Sequence, residues 1–586
     1  MKTAQFKRLG PPPGFILIVV LVLMSVSVFI MAGAMKWTSG SANITERNVY
    51  YQRTVAAAEG ATEGVIARMV RDFENGAISG SLSTYQNLSP SSYSTESWLN
   101  DFTFSDGQGN NNKTYVTKIR ATAYDSINTS EYRGLYGIVS NYRVVANART
   151  ATAARQDVTA GVKQDFQLAT IPIFQFAIFY TLDLEINPSP AMTVSGKVHS
   201  NQGIYAAPVT SLLFKDSVTA AAQINFNRHT NDPQFGSAKV IPVFTLKTNY
   251  QGSSGVDALT LPIGTNSSPT SVREVINAPP AGEDPNSAMG KQRYYNKSDL
   301  IVQVTSTNVL VRRGNWGSFA AIPTNSGTGT GYTFVKTNAS FYNGRELKTI
   351  KPVEIDVAAL KTWIEASNPD NVAAVSILGR DLNSVYVNDL RDAGTNRLAV
   401  RVINGQTLPN SGLTVSTAYP IYVKGHLNAA DVTNGSTNTV NTKPASLIGD
   451  SINVLSGSWS DAGTTLASHI ATDTTVNAAF IGGIVQSYKD GSNVKHYSGG
   501  VENFPRFLED WSGGRTLTFN GSMVVMFPSK FATNSWDQAT SYYSPPTRKW
   551  AFDLNFLDPS KLPPGTPQVQ KIIRGQWAVV APNVVN

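Results

Sequence analysis

The sequence predicts an α+β protein in which a long N-terminal membrane-spanning helix packs on an antiparallel sheet, followed by a large mainly-β region. Three observations predict it. Phe15 to Met35 contains no charged residue; an apolar stripe continues the helical period beyond it without a proline; and most of the remaining chain consists of short strand-like runs between Gly- and Asn-rich turns.

The first element is the membrane segment. Its 21 residues, Phe15–Met35, span about 31 Å as a helix, enough to cross a bilayer core. Lys2, Lys7 and Arg8 precede Gly14, and basic residues of this kind stay cytoplasmic, which places the bulk of the chain on the far side. A secretory signal would have a shorter apolar core followed by small residues. The plain alternative is an uncleaved single-span anchor. Trp37 follows at the interface, where an amphipathic ring is most at home.

Beyond the span, Ile44, Tyr51, Ala58 and Val65 fall seven apart, interleaved with Asn48, Val55, Thr62 and Met69. They draw one mostly apolar stripe, with Arg47, Arg53, Glu59, Glu63, Arg68 and Arg71 off it. No proline occurs between Phe15 and Phe73, so span and stripe are expected to form one continuous helix over 15–76. Asn75-Gly76 is the expected stop.

The segment Gly14-Phe15-Ile16-Leu17-Ile18-Val19-Val20-Leu21, together with Ala57-Ala58-Glu59-Gly60-Ala61-Thr62-Glu63-Gly64, resembles the N-terminal region of PilX-type minor pilins. The resemblance covers about the first seventy-five residues. It implies a prepilin-type leader over 1–14, cleaved between Gly14 and Phe15 by prepilin peptidase, and a pilin-like head. It also implies a protein anchored in the bacterial inner membrane with its bulk in the periplasm, or carried to the cell surface on a pilus. Its partners would be other pilin or minor-pilin subunits. Major pilins carry a glutamate five residues past the cleavage site, where this chain has Val19. In those filaments the carboxylate is thought to neutralise a neighbour's N-terminal amine, and an uncompensated charge in an apolar core is costly. Val19 therefore favours a tip, initiator or membrane-retained subunit over a repeating body subunit.

The 586 residues exceed one small domain and contain no cysteine, which excludes disulfide and thiol chemistry. The formal charge of +8 includes the three leader cations, so cleavage leaves +5. Without a clustered basic face this gives no support to nucleic-acid binding.

From Gly76 to about Asn112 the chain is rich in Ser, Gly and Asn and reads as loops. Strand-like runs follow at Thr114–Tyr124, Arg133–Thr150 and Ala151–Leu168, with Tyr142, Val144 and Ala146 on one face and Val158, Ala160 and Val162 on another. Residues 77–170 are assigned to the β-sheet head and 171–586 to the large β-rich C-terminal region. There, Phe174–Tyr180, Met192–Tyr205, Val385–Asn388, Leu398–Asn404, Pro420–Gly425, Ser446–Leu455 and Ala478–Val485 are short strands at irregular intervals. Stacked solenoid coils and a sandwich both fit. Asp356–Ser367 is the one convincing helix, with Val357, Leu360, Trp363 and Ile364 on one face. Val198-His199-Ser200-Asn201, Thr417–Gly425, Lys443–Ile452, Gly499–Trp511 and Leu562–Pro567 are similar to stretches of long PilX-like envelope proteins.

No catalytic, cofactor or metal site is predicted. His199, His229, His426, His469 and His496 lack metal-pair spacing and read as turn or surface residues. Glu509-Asp510 beside Trp511 reads as a solvated loop anchored by Phe504, Phe507 and Trp511, because adjacent strand residues point apart and do not share a proton. Asp106–Asn112 has oxygen ligands suited to calcium but no closing glutamate. Gly327–Gly331 has no following Lys and reads as a loop rather than a phosphate cradle. The aromatics from Phe504 to Trp577 are expected to form core, with Pro545-Pro546 and Pro563-Pro564 clamping the tail across it. A non-enzymatic, pilin-like structural protein displaying a β-rich domain is the expected function. The alternative is a pilin-anchored adhesin or carbohydrate-binding protein with a surface ligand.

Overall fold

The structure is a computed structural model. It describes residues 14–75, 78, 80–88, 90, 94–151, 157–244, 253–264, 267–315, 317–321, 334–365, 369–430, 432–534, 536 and 541–582. With no proline to interrupt it, the chain forms one helix of 60 residues, Phe15–Glu74. Its N-terminal part passes the length and composition required to cross a membrane and is wholly exposed. Asn75 caps it by donating to Arg71 O and Phe73 O at φ −85°, so at Asn75 the stop is not left-handed; Gly76 lies outside the described residues.

The helix is buried only from Thr54 onward. There Val55, Ala58, Ala61, Val65, Ile66 and Met69 pack on Tyr142, Val144, Ala146, Ala148, Ala160, Val162, Phe166 and Leu168. The small helix residues Ala57, Ala58 and Ala61 let helix and sheet approach closely, and Gln164 donates from the sheet to Thr62 Oγ1 at 2.8 Å. The predicted stripe is therefore half used: Ala58, Val65, Val55, Thr62 and Met69 are buried, while Ile44, Asn48 and Tyr51 remain exposed.

The sheet beneath the helix has five antiparallel strands: Phe102–Ser105, Tyr115–Ser126, Tyr136–Thr150, Thr159–Pro172 and Gln568–Val580. The last comes from the end of the chain. Residues 77–170 thus supply most of the head, but 568–580 complete it. The tail expected to clamp the C-terminal core joins the head sheet, while its Val569 and Ile573 stay buried with Leu259, Leu261 and Ile263 of the C-terminal region. Gln568 faces Pro172 and Val569 faces Ile171, with Ile173 N donating to Pro567 O at 3.0 Å. Residues 173–567, 395 in all (567 − 172), form an insertion between two neighbouring strands of one sheet.

Within the insertion the chain coils. Ile178 faces Val198 and Val198 faces Val218; Leu184 faces Ile204 and Ile204 faces Ile224; Met192 faces Leu212. Every interval is twenty residues and every pair is parallel, so each coil places its apolar residues above those of the last. Parallel stacking makes this a solenoid rather than a sandwich of antiparallel sheets.

A second stack begins at Leu300–Val304 and winds back. Leu300 faces Val385, then Val415, Leu447, Phe480 and Met523 follow in single file, and Met523 faces Ile178. The two stacks join into one 12-stranded sheet, parallel except at its last two pairings. The chain enters this stack in the middle, at Phe176–Tyr180, coils to one end, crosses to the other, and coils back to meet its own entry strand.

The crossover covers the outer face of that sheet. Leu259, Leu261, Ile263, Val272, Val275, Ile276 and Tyr294 pack on Ile301, Tyr386, Ile448, Ile481, Val524 and Phe179. Both faces of the sheet are therefore buried, which is why its strands read as continuous apolar runs. The helix at Val357–Glu365 buries Val357, Leu360, Trp363 and Ile364 as predicted. A second helix, Pro369–Leu378, follows it; its Val372 and Ile377 are exposed, so it shows no apolar face in the sequence.

Candidate functional site

The residues expected to serve processing and anchoring are exposed. Gly14 is exposed at the start of the long helix. Phe15, Met35 and Trp37 are 55%, 65% and 76% exposed, and Val19 is 39% exposed. The leader cations lie outside the described residues, as does Gly327–Gly331.

The other predicted positions are explained locally. Asp106 accepts from Gln108 N, Asn110 N and Asn110 Nδ2 at 2.8, 3.1 and 2.7 Å. Burial raises its pKa, but these hydrogen bonds outweigh it and hold the carboxyl below its usual range. Its oxygens face donors, so the loop is a turn closed on itself rather than a cation cage. Glu509 is fully buried, contrary to the solvated loop expected, and accepts from Ser456 N and Oγ. Asp510 turns outward and accepts from Ser512 N, so the two carboxyls do point apart. Burial pushes Glu509 up to about 7.

Two histidines are core residues rather than turn or surface ones. His199 has no exposed surface, lies between Phe179 and Thr219 in the stacking ladder, and bonds Thr219 Oγ1 and Asn201 Oδ1 at 2.8 and 2.9 Å. Burial pulls its pKa down to about 4, keeping it neutral. His469 is buried and stacks on Trp459. Among the described residues no three metal-ligating side chains converge.

What the sequence did not reveal is the seam between the two stacks. The 12-stranded sheet runs unbroken across it, but the two shorter faces do not. At one break a slot of about 30 Å³ is lined by apolar groups including Met192, Val194, Phe519 and Phe552. At the other, Leu184–Ile186 meets the turn Val501–Asn503, and a cleft of about 410 Å³ opens beside them. That volume falls within the range of small-molecule sites, roughly 300–1,000 Å³.

Tyr497, Trp536 and Tyr543 form one wall of this cleft; Arg228 and Arg548 bring cations to it, and Pro188, Pro190 and Pro545 stiffen its rim. The wall is tied together: Trp536 Nε1 donates to Tyr543 Oη at 2.7 Å, and Tyr543 Oη donates to Asn503 Oδ1 at 2.7 Å. Glu502 accepts from Asn187 N and Tyr497 Oη, each at 3.2 Å. Burial raises the Glu502 pKa against the pull of those donors and of Arg548.

Behind it, Tyr180, Glu185, Arg345 and Arg506 line a chamber of about 10 Å³. Among the described residues, Tyr180 Oη, Glu185 Oε2 and Arg345 Nε have no hydrogen-bond partner. Burial pushes Glu185 up to about 7 and draws Arg345 down to about 10. Such shifted groups gather where a fold holds polar chemistry in a dry site. The cleft residues come from 187–234 and 497–548, brought together because the second stack returns to the first, and Arg345 joins them in the chamber.

No family model, curated protein or solved structure matches the chain.

Proposed function

We propose that the protein is a pilin-like structural component, a large minor pilin or pilus-assembly subunit that displays its coiled β-region from a membrane anchor. The observation that carries this reading is the division of one helix. Its apolar first third is exposed, and its last third is buried on an antiparallel sheet. Residues 36–53 between them stand about 27 Å clear of the span, leaving Ile44, Val49 and Tyr51 uncovered. Neighbouring pilin or minor-pilin subunits are the natural partners for that surface. The anchor lies in the bacterial inner membrane with the leader cytoplasmic. The exposed Gly14–Phe15 bond is the substrate of prepilin peptidase, and Val19 keeps the copy number per filament low.

N-terminal sequencing of protein extracted from membranes or shed filaments tests this. The expected mature chain begins at Phe15, and Gly14→Val leaves Met1 in place. Wild-type protein that retains Met1 refutes the processing step.

The seam cleft favours a second reading, a pilin-anchored adhesin or carbohydrate-binding protein. Its lining sets the aromatic side chains of Tyr497, Trp536 and Tyr543 beside Arg228 and Arg548 in one open cleft.

A further inference from the structure

Arg548 occupies an unusual position for a cation in a protein interior. Its Nε donates to Glu502 O at 2.8 Å and its Nη2 to Asn503 Oδ1 at 3.2 Å, both neutral acceptors. Among the described residues it has no carboxylate ion pair. Its guanidinium lies over the rings of Phe507 and Trp550, while the residue as a whole keeps some exposed surface. Burial lowers its pKa more than the surrounding groups raise it. A guanidinium is a planar fork whose best partner is a planar carboxylate.

Arg228, across the cleft, is 8% exposed. Its Nη1 donates to Asp232 at 2.8 Å, while its Nε and Nη2 make no hydrogen bond among the described residues. Its guanidinium also stacks over Tyr497 at 5.8 Å. Glu502, the acidic group in the cleft, has its oxygens turned to Asn187 N and Tyr497 Oη rather than to either arginine. The lining adds Gln234 and Ser189, whose side chains both donate and accept, and Trp536, half-buried on the wall.

We infer that the seam cleft binds a carboxylate-bearing sugar of an acidic polysaccharide, with Arg228 and Arg548 taking the carboxylate and Trp536 with Tyr497 taking the ring. The inference rests on the second reading above and is independent of how the anchor is processed. A neutral sugar would leave the Arg548 fork with neutral hydrogen-bond acceptors only. A bare inorganic anion would leave most of the aromatic wall and the roughly 410 Å³ of the cleft unused. The cleft lies on a rigid floor, because the coils on both sides are locked into one sheet through the Met523–Ile178 pair.

The test is calorimetric titration of the full chain in a non-ionic detergent with a galacturonic acid trimer, alongside the same trimer after reduction of its carboxyl groups. The acidic trimer should bind, and more weakly as salt rises. Arg228→Gln should weaken it at least about tenfold, the value of one charge-assisted hydrogen bond. Arg548→Gln should do the same. That side chain also ties down the Glu502 carbonyl, so Arg228→Gln carries the test if Arg548→Gln unfolds. Equal affinity for the reduced trimer overturns the acidic assignment and leaves a saccharide cleft. Binding of neither trimer overturns the carbohydrate reading itself. Arg228→Gln that binds with unchanged affinity overturns the role given to the fork.

Discussion

Glu185 shows how a single buried side chain sets a dependence on pH. Its carboxyl is 3% exposed, accepts from Ser487 Oγ at 2.7 Å, and leaves its second oxygen without a partner. Burial raises its pKa from 4.5 to about 7. The folded protein therefore holds this proton over a window in which the unfolded chain releases it. Below pH 4.5 both states are protonated, and the fold loses stability as pH climbs towards 7. The loss is about 1.4 kcal/mol per unit, or about 3 kcal/mol in all. His199 acts in the opposite sense: with its pKa pulled down to about 4, it costs stability as pH falls below 6.5. Glu185→Gln should thus raise the melting temperature at pH 8 and change it little at pH 5. Equal shifts at both pH values would contradict this assignment. Burial raises Glu509 to about 7 as well, but it is a poorer probe, because both its oxygens accept from Ser456 and a glutamine amide would force the Ser456 hydroxyl to turn from donor to acceptor. Neither carboxyl was visible in the sequence as buried. Glu185 alternates with Leu184 and Ile186 as a half-exposed strand would, and its burial comes from the second stack returning over it.

At the scale of elements, the strand Gln568–Val580 connects what the sequence separates. It pairs with Thr159–Pro172 along its length, and its Arg574 forks onto Glu63 of the long helix at 2.6 and 2.8 Å. Ending the chain at Pro567 should therefore loosen the head. Hydrogen exchange would rise in Thr159–Pro172 and in the helix from Thr54 to Met69, while the ladder from Leu300 to Met523 stays protected. Loss of protection in that ladder instead would restore the clamped-tail picture. The long helix was legible because nothing in Phe15–Glu74 interrupts it, and the head strands were legible by alternation around Tyr142, Val144 and Ala146. The final strand was not. Trp577 and Val579 alternate like any edge strand, and no local pattern says which sheet an edge strand joins. The twenty-residue interval in Ile178, Val198 and Val218 was present in the sequence but spans only three coils. Downstream the intervals vary, since Val385, Val415, Leu447, Phe480 and Met523 are separated by loops of different length.

For the whole molecule, the seam is the point on which cooperativity turns. Nine buried residues run in file from Leu300 to Val218, and only the Met523–Ile178 step joins strands 345 residues apart in the chain (523 − 178). Met523→Asp would bury an unpaired charge at that step, which costs several kcal/mol. It should convert one unfolding transition into two, read by calorimetry. A single transition at reduced temperature would show that the crossover packed on the outer face holds the stacks together without the seam.

The insertion of the coiled region between Pro172 and Gln568 also has a mechanical meaning. Both strands leave the head at the same end, side by side, with Ile173 N bonded to Pro567 O. On the adhesin reading proposed above, a pull between a surface bound by the coiled region and the anchor would enter the head through two covalent tethers rather than one. Neither strand slides past the other, because both are pulled the same way. The resistance falls on the shear between Thr159–Pro172 and Tyr136–Thr150, which pair over twelve successive residues from Ile138↔Thr170 to Arg149↔Thr159. It falls also on the Arg574–Glu63 fork to the helix that carries the pull.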